Sequence, residues 1–123
     1  PLPRWSHGRV TLLGDAAHPM YPVGSTGASQ AIIDARVLAD ALTRAEHPVQ
    51  ALAEYEAERL PKTAEIVRAN REGGPEGVID AVERLAPEGF DDVERVMSYA
   101  DREAIVRGYA KNAGYAPPVA KAG

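Results

Sequence analysis

The sequence predicts a mostly α-helical chain entered through one buried strand, an arrangement that suits the last part of an α/β fold. Three observations carry this. Residues 9–13 (Arg-Val-Thr-Leu-Leu) form a short, nearly continuous apolar and β-branched run that ends on Gly14-Asp15, as in a strand covered on both faces. Apolar residues then recur at three- and four-residue steps through two long segments, 27–44 and 48–71. No second convincing strand follows, and the backbone groups of a strand need a sheet. Its partners then come either from another copy or from residues of a longer protein, and the second reading is favoured. One strand followed by four to five helices is the expected order.

Composition narrows the function classes. With 45% apolar and 26% charged residues, the chain is able to build a core and is not of the disordered type. Alanine supplies much of the apolar share, so the core is thinner than that figure suggests. A net charge of −4 and a pI near 5.4 leave no basic footprint for nucleic acid. The lack of cysteine excludes disulfides, thiol catalysis and Cys-ligated zinc, and fits a reducing cytoplasm. No apolar run approaches the roughly 18 residues that read as a membrane span, and nothing resembles a signal peptide.

The elements follow in order. Residues 27–44 carry Ala28, Ala31, Ile32, Ala35, Leu38, Ala39 and Leu42 at helical spacing, with Ser25 or Thr26 placed to cap. Asp34 and Arg36 interrupt that stripe, and Asp34 is placed to meet the next helix or a loop backbone. Pro48 suits the first turn of a second helix reaching about residue 71. Its stripe is Val49, Ala53, Leu60, Ala64 and Val67, flanked by Leu52, Tyr55 and Ile66; Pro61 should kink it or split it in two. Gly73-Gly74-Pro75 is the clearest break. Beyond it, residues 76–85 (Val78, Ile79, Val82, Leu85), 91–100 (Val93, Val96, Met97) and 101–110 (Ile105, Val106, Tyr109) read as short helices, the last capped by Asp101. Residues 116–123 read as a disordered tail.

Most candidate chemistry reduces to simpler readings. His7, His18 and His47 lack the spacing of convergent metal ligands, so no metal site is expected. Ser25, Ser29 and Ser98 lie outside any G-x-S-x-G elbow, and no catalytic side chain is assigned. Glu54, Glu56, Glu58 and Glu65 read as a solvated helix face. Residues 8–42 differ. Asp15 sits beside a glycine at the carboxyl end of a strand, where α/β folds place ligand contacts. A carboxylate accepts hydrogen bonds only, which suits sugar or ribityl hydroxyls. Asp15 capping its own turn is an equal reading taken alone. Pro22, Gly24, Gly27 and a helix N-terminus with free N–H groups add weight to the ligand reading.

The run R-V-x-L-L-G-D-A-A-H-x-x-x-P, followed by G-S-T-G-A-S-Q-A-I-I-D-A-x-x-L-A, resembles the second FAD-binding motif of the flavin-dependent aromatic hydroxylases. The form M-Y-P-V-G-S-x-G-A-S-Q-A-I-x-D-A-R-V-L-A is most similar to the branch holding salicylate hydroxylases and phenazine monooxygenases. A weaker likeness continues at Tyr55-Glu-Ala-Glu-Arg-Leu-Pro. The resemblance implies a C-terminal fragment of an α/β, Rossmann-like FAD-binding fold. Residues 1–72 would be the last part of the FAD-binding domain, 73–115 a short-helix region and 116–123 the tail. It implies FAD as cofactor, NAD(P)H as reductant, and a small aromatic substrate that is hydroxylated with dioxygen. By the same resemblance Gly14 and Asp15 meet the ribityl chain and Pro22 lies close to the isoalloxazine ring. Gly24, Ser25, Thr26, Gly27 and Ala28 pass beside the flavin's pyrimidine end. Many relatives carry Gly-Gln-Gly-x-Asn where this chain has Ser25-Thr26-Gly27-Ala28-Ser29, so the implied contacts are backbone ones. The family's G-x-G-x-x-G unit is absent from these residues, so the cofactor site needs the N-terminal part or another copy. A free-standing helical interaction or dimerisation module without catalysis is the alternative.

Overall fold

The chain opens with a hairpin rather than a single strand. In the computed structural model, which describes residues 1–114, β1 (Ser6–His7) pairs antiparallel with β2 (Val10–Thr11). Ser6 lies opposite Thr11 and His7 opposite Val10, so Gly8 and Arg9 are the whole turn. Gly8 takes φ +61° in the first central position, where a two-residue hairpin loop favours glycine. The Leu12 N–H donates to the Trp5 carbonyl at 3.2 Å, and the Ser6 and Thr11 hydroxyls meet across the strands at 2.8 Å. The expected strand over 9–13 is therefore two residues long and has a partner inside the chain. It is not covered on both faces either, since Val10 is 69% exposed.

A 3-10 turn at Gly14–Ala16 leads into an irregular loop, and α1 (Gly27–Arg44) follows with the expected limits. α2 (Pro48–Arg71) begins on its proline and runs unbroken through Pro61. Proline removes the hydrogen bond to the carbonyl four residues earlier. Pro61 and Ala57 are both exposed, which leaves that carbonyl open to solvent hydrogen bonding, and the helix does not split. Gly73 and Gly74 take positive φ after α2, and a 3-10 turn at Gly74–Glu76 leads into α3 (Gly77–Leu85).

The last part differs from expectation in two ways. The helix expected over 91–100 is a single turn, α4 (Val93–Val96), since Met97 is already extended. α5 (Tyr99–Ala113) starts earlier than expected and is capped by Ser98, not Asp101. The Ser98 Oγ accepts the Asp101 N–H and donates to the Asp101 carboxylate at 2.7 Å. The hydroxyl thus caps the first turn while the Asp101 carboxylate fixes its orientation. The tail reading falls outside the described residues.

The core lies between the hairpin, the 14–18 turn, α1 and α2. Trp5, Ala17, Ala41, Ala51 and Tyr55 are buried together, with Leu12, Leu38 and Leu60 packed against them. Trp5 and Tyr55 stack tilted at 5.7 Å between ring centroids. Burying 150–250 Å² of ring is worth roughly 4–6 kcal/mol each, against about 0.8 kcal/mol for a methyl-sized group. Two aromatics therefore outweigh the alanines around them. α1 turns an unexpected face inward. Gln30, Asp34 and Ala41 are buried on it, while Ala28, Ile32 (71% exposed), Ala35, Ala39 and Leu42 face outward. α2 likewise exposes Val49 and Ala53 and buries Arg59, Thr63 and Asn70.

Candidate functional site

The 14–28 segment is held from below by α1 and α2. Asp34, fully buried on α1, spreads its carboxylate over three donors. Oδ2 accepts the Gly14 N–H at 3.2 Å and lies 2.5 Å from His18 Nε2; Oδ1 accepts Arg59 Nε at 2.6 Å. The other arm of Arg59 donates to Gln30 Oε1 at 2.7 Å, and Gln30 in turn donates to the Ala113 carbonyl at 3.0 Å. Burial alone would raise the Asp34 pKa, but hydrogen bonds from His18 and Arg59 outweigh it and hold the carboxyl below its usual range. Both ends of the Gly14–His18 turn are thus pinned to one charged oxygen. Asp34 meets both the next helix and a loop backbone, as the sequence suggests.

The pinned turn presents Asp15 to solvent. Across from it, the position of a Cβ on Gly27 would lie 3.9 Å from Asp15 Oδ1, so the Asp15 carboxylate stands beside the start of α1. Thr26 is the residue before the helix, but its side chain makes no capping bond and the first turn has no acidic residue. The leading N–H groups of α1 are therefore left for another acceptor. Its hydroxyl goes instead to Tyr109 on α5, at 3.2 Å from the phenol oxygen. Pro22 and Ser25 are exposed on a turn closed by the Ser25 N–H on the Pro22 carbonyl, and Ser25 takes φ +49°. A cavity of about 230 Å³ lies beside His18 and Pro19, with Trp5, Thr63 and Arg71 among its walls. Within the described residues, His18 Nδ1 is buried with no hydrogen-bond partner.

Three contributors escaped the sequence reading. Glu56 is not part of a solvated face: it accepts the Trp5 and Ser6 N–H groups at 3.1 and 2.5 Å and so ties the hairpin to α2. Burial opposes its charge, but those bonds and nearby Arg4 lower its pKa. Arg59 lies inside the Tyr55–Pro61 run, but nothing in that run names its partners. Tyr109 is 83 positions from Thr26, beyond any local spacing signal.

Comparison with known proteins bears directly on this segment. The FAD binding domain family matches residues 2–70, which is more than half of the chain and includes the whole of the Asp34 cluster. The chain belongs to this family. A phenazine 1,6-dicarboxylic acid hydroxylase of Lysobacter antibioticus is 62% identical over 72 residues, 58% of this chain and 18% of the relative. A 3-amino-4-hydroxybenzoate 2-monooxygenase of Streptomyces platensis is 48% identical over 102 residues, 78% of this chain and 25% of the relative. A 3-hydroxybenzoate 6-hydroxylase of Aquipseudomonas alcaligenes is 52% identical over 71 residues, 58% of this chain and 18% of the relative. All three relatives are named as hydroxylases or monooxygenases acting on aromatic acids. The chain spans about a fifth to a quarter of their length. No solved structure matches it significantly.

The residues of this FAD-binding domain fit the cofactor. Asp15 is an exposed acceptor with no hydrogen-bond partner among the described residues, and it stands next to uncapped helix amides. That pairing offers an acceptor for a polyol and donors for an electron-rich heterocycle.

Proposed function

We propose that this chain carries the ribityl- and isoalloxazine-facing part of the FAD site in a monooxygenase that hydroxylates an aromatic ring. NAD(P)H is the reductant and dioxygen the co-substrate. The carrying observation is the placement of the Asp15 carboxylate beside the N-terminus of α1, with its turn anchored on Asp34. FAD supplies the redox chemistry and the activation of dioxygen. The chain's own groups bind and orient. Gly14 and Asp15 hold a ribityl hydroxyl, and Pro22 walls the ring side. Residues 24–28 run beside the pyrimidine end, where the Gly27 and Ala28 N–H groups and the α1 dipole favour negative charge. No side chain here acts as acid or base.

The outward stripe of α1 supports a fragment reading. Ile32 at 71% and Leu42 at 48% exposure, with the alanines between them, make an apolar face suited to a sheet contributed by the rest of a longer protein. The alternative, a docking or dimerisation module, would instead use the short helices that follow Gly73-Gly74-Pro75. Oxidation of NAD(P)H by the full-length protein, assayed against hydroxylated benzoates and phenazines, tests the proposal. At least one of these should stimulate oxidation and give a hydroxylated product. If none raises the rate above that without substrate, the hydroxylase reading fails. The 123-residue chain alone is expected not to retain FAD on gel filtration, and stoichiometric yellow protein would refute that part.

A further inference from the structure

α5 reaches back onto the flavin-facing loop. Tyr109 is 5% exposed, and its hydroxyl donates to Asn70 Oδ1 at 2.8 Å while meeting the Thr26 hydroxyl at 3.2 Å. Its ring lies so close to Gly24 that a Cβ there would overlap the phenol oxygen and Cζ. Backbone at that point has no room for any side chain, and φ +76° at Gly24 is one that glycine adopts without strain. Glu76 receives the Gly24 N–H at 3.3 Å, and Gln30 in the first turn of α1 bonds the Ala113 carbonyl near the end of α5. Ser25, a non-glycine residue at φ +49°, is thus held between two anchored neighbours. A left-handed conformation at such a residue persists where its surroundings determine it.

We infer that Tyr109 is a positioning residue for the cofactor site. Through Gly24 and Thr26 it sets the path of the loop and hence where the Gly27 and Ala28 N–H groups point. This rests on the FAD reading above and adds to it a control of flavin electronics exerted through the loop. The Tyr109 ring supplies the wall, and its hydroxyl, fixed by Asn70 on α2, supplies the register. Losing that hydroxyl lets the loop shift relative to α1 while the ring keeps filling its space.

The test uses the full-length holoprotein with Tyr109→Phe, Asn70→Leu and, as a control on the exposed side of α5, Tyr99→Phe. Readouts are the visible band and midpoint potential of bound flavin, and the share of consumed NAD(P)H recovered as hydrogen peroxide. Tyr109→Phe and Asn70→Leu should each shift the flavin band and potential and lower kcat/KM for hydroxylation about 3–10-fold, the equivalent of one hydrogen bond. Tyr99→Phe should match the wild type. If the flavin-loaded Tyr109→Phe protein keeps the wild-type potential, spectrum and peroxide share, even with a lower Tm, the residue is merely structural and the inference is overturned. A wild-type protein that binds no flavin would instead overturn the FAD reading beneath it, a pattern visible before any variant is made.

Discussion

Asp34 on α1 and Arg59 on α2 meet at 2.6 Å, Oδ1 to Nε, with their side chains 0% and 4% exposed. A pair so deep gains strength from the low dielectric, but taking either partner away leaves a charge that water cannot reach. Asp34→Asn should lower unfolding stability by about 3–5 kcal/mol, the usual cost of breaking a buried pair from one side. Asp34→Asn combined with Arg59→Met should lose less than the sum of the single changes, because the stranded guanidinium is gone. Urea unfolding of the full-length protein measures both, and simple additivity would contradict the coupling.

Acid should find the same pair. The Asp34 carboxyl sits below its ordinary value near 3.8, so in that range the unfolded chain binds more protons than the folded one. Its stabilisation is complete above the unfolded value and is lost as pH falls through the depressed folded value. The stability gap between wild type and Asp34→Asn should therefore shrink as pH falls below about 4. A gap that widened on acidification would reverse the sign argued here.

Asp15 offers the opposite case, an exposed carboxylate with no hydrogen-bond partner among the described residues. Asp15→Ala should leave the unfolding free energy within about 0.5 kcal/mol of wild type. It should weaken FAD binding by the full-length protein roughly 10–100-fold, as for a charge-assisted hydrogen bond lost. Titration of apoprotein with FAD gives the number, and unchanged affinity would remove Asp15 from the proposed site.

The two long helices were legible because their signals are local. Thr26-Gly27 and His47-Pro48 punctuate the chain, and an apolar residue every third or fourth position fills what lies between. Their orientation was not legible. Periodicity picks out the stripe holding Ile32 and Leu42 without placing it, and in the structure that stripe is exposed while Gln30, Asp34 and Arg59 take the interior. A stripe says that a helix has an apolar partner without saying which side the described neighbours occupy. The hairpin was missed because each strand is two residues long and its turn is only Gly8-Arg9. Gly14 and Asp15 were singled out by their motif, but the anchor at Asp34 and the reach of Tyr109 depend on contacts 20 and 83 positions away.

Ile32→Lys separates the two roles of α1. In the 123-residue chain Ile32 is open to water, so the change should alter stability by no more than about 0.5 kcal/mol. In the full-length protein the same change should cost about 2–5 kcal/mol, since it buries a charge against the proposed sheet. Equal effects in thermal unfolding of both proteins would refute a sheet on that face.

The polar seam between α1 and α2 also acts as an address. Two helices joined only by aliphatic side chains can slide by a turn and lose little, since one methyl group replaces another. Here a slide of four residues along α2 would set Asp34 against Tyr55 or Thr63 and leave the Arg59 guanidinium facing carbon. Each misplaced charge would cost several kcal/mol, more than most apolar mismatches. The hairpin of helices therefore has one alignment in which the buried Asp34 and Arg59 are paired. That alignment is the one that draws the Gly14 N–H down and turns Asp15 outward.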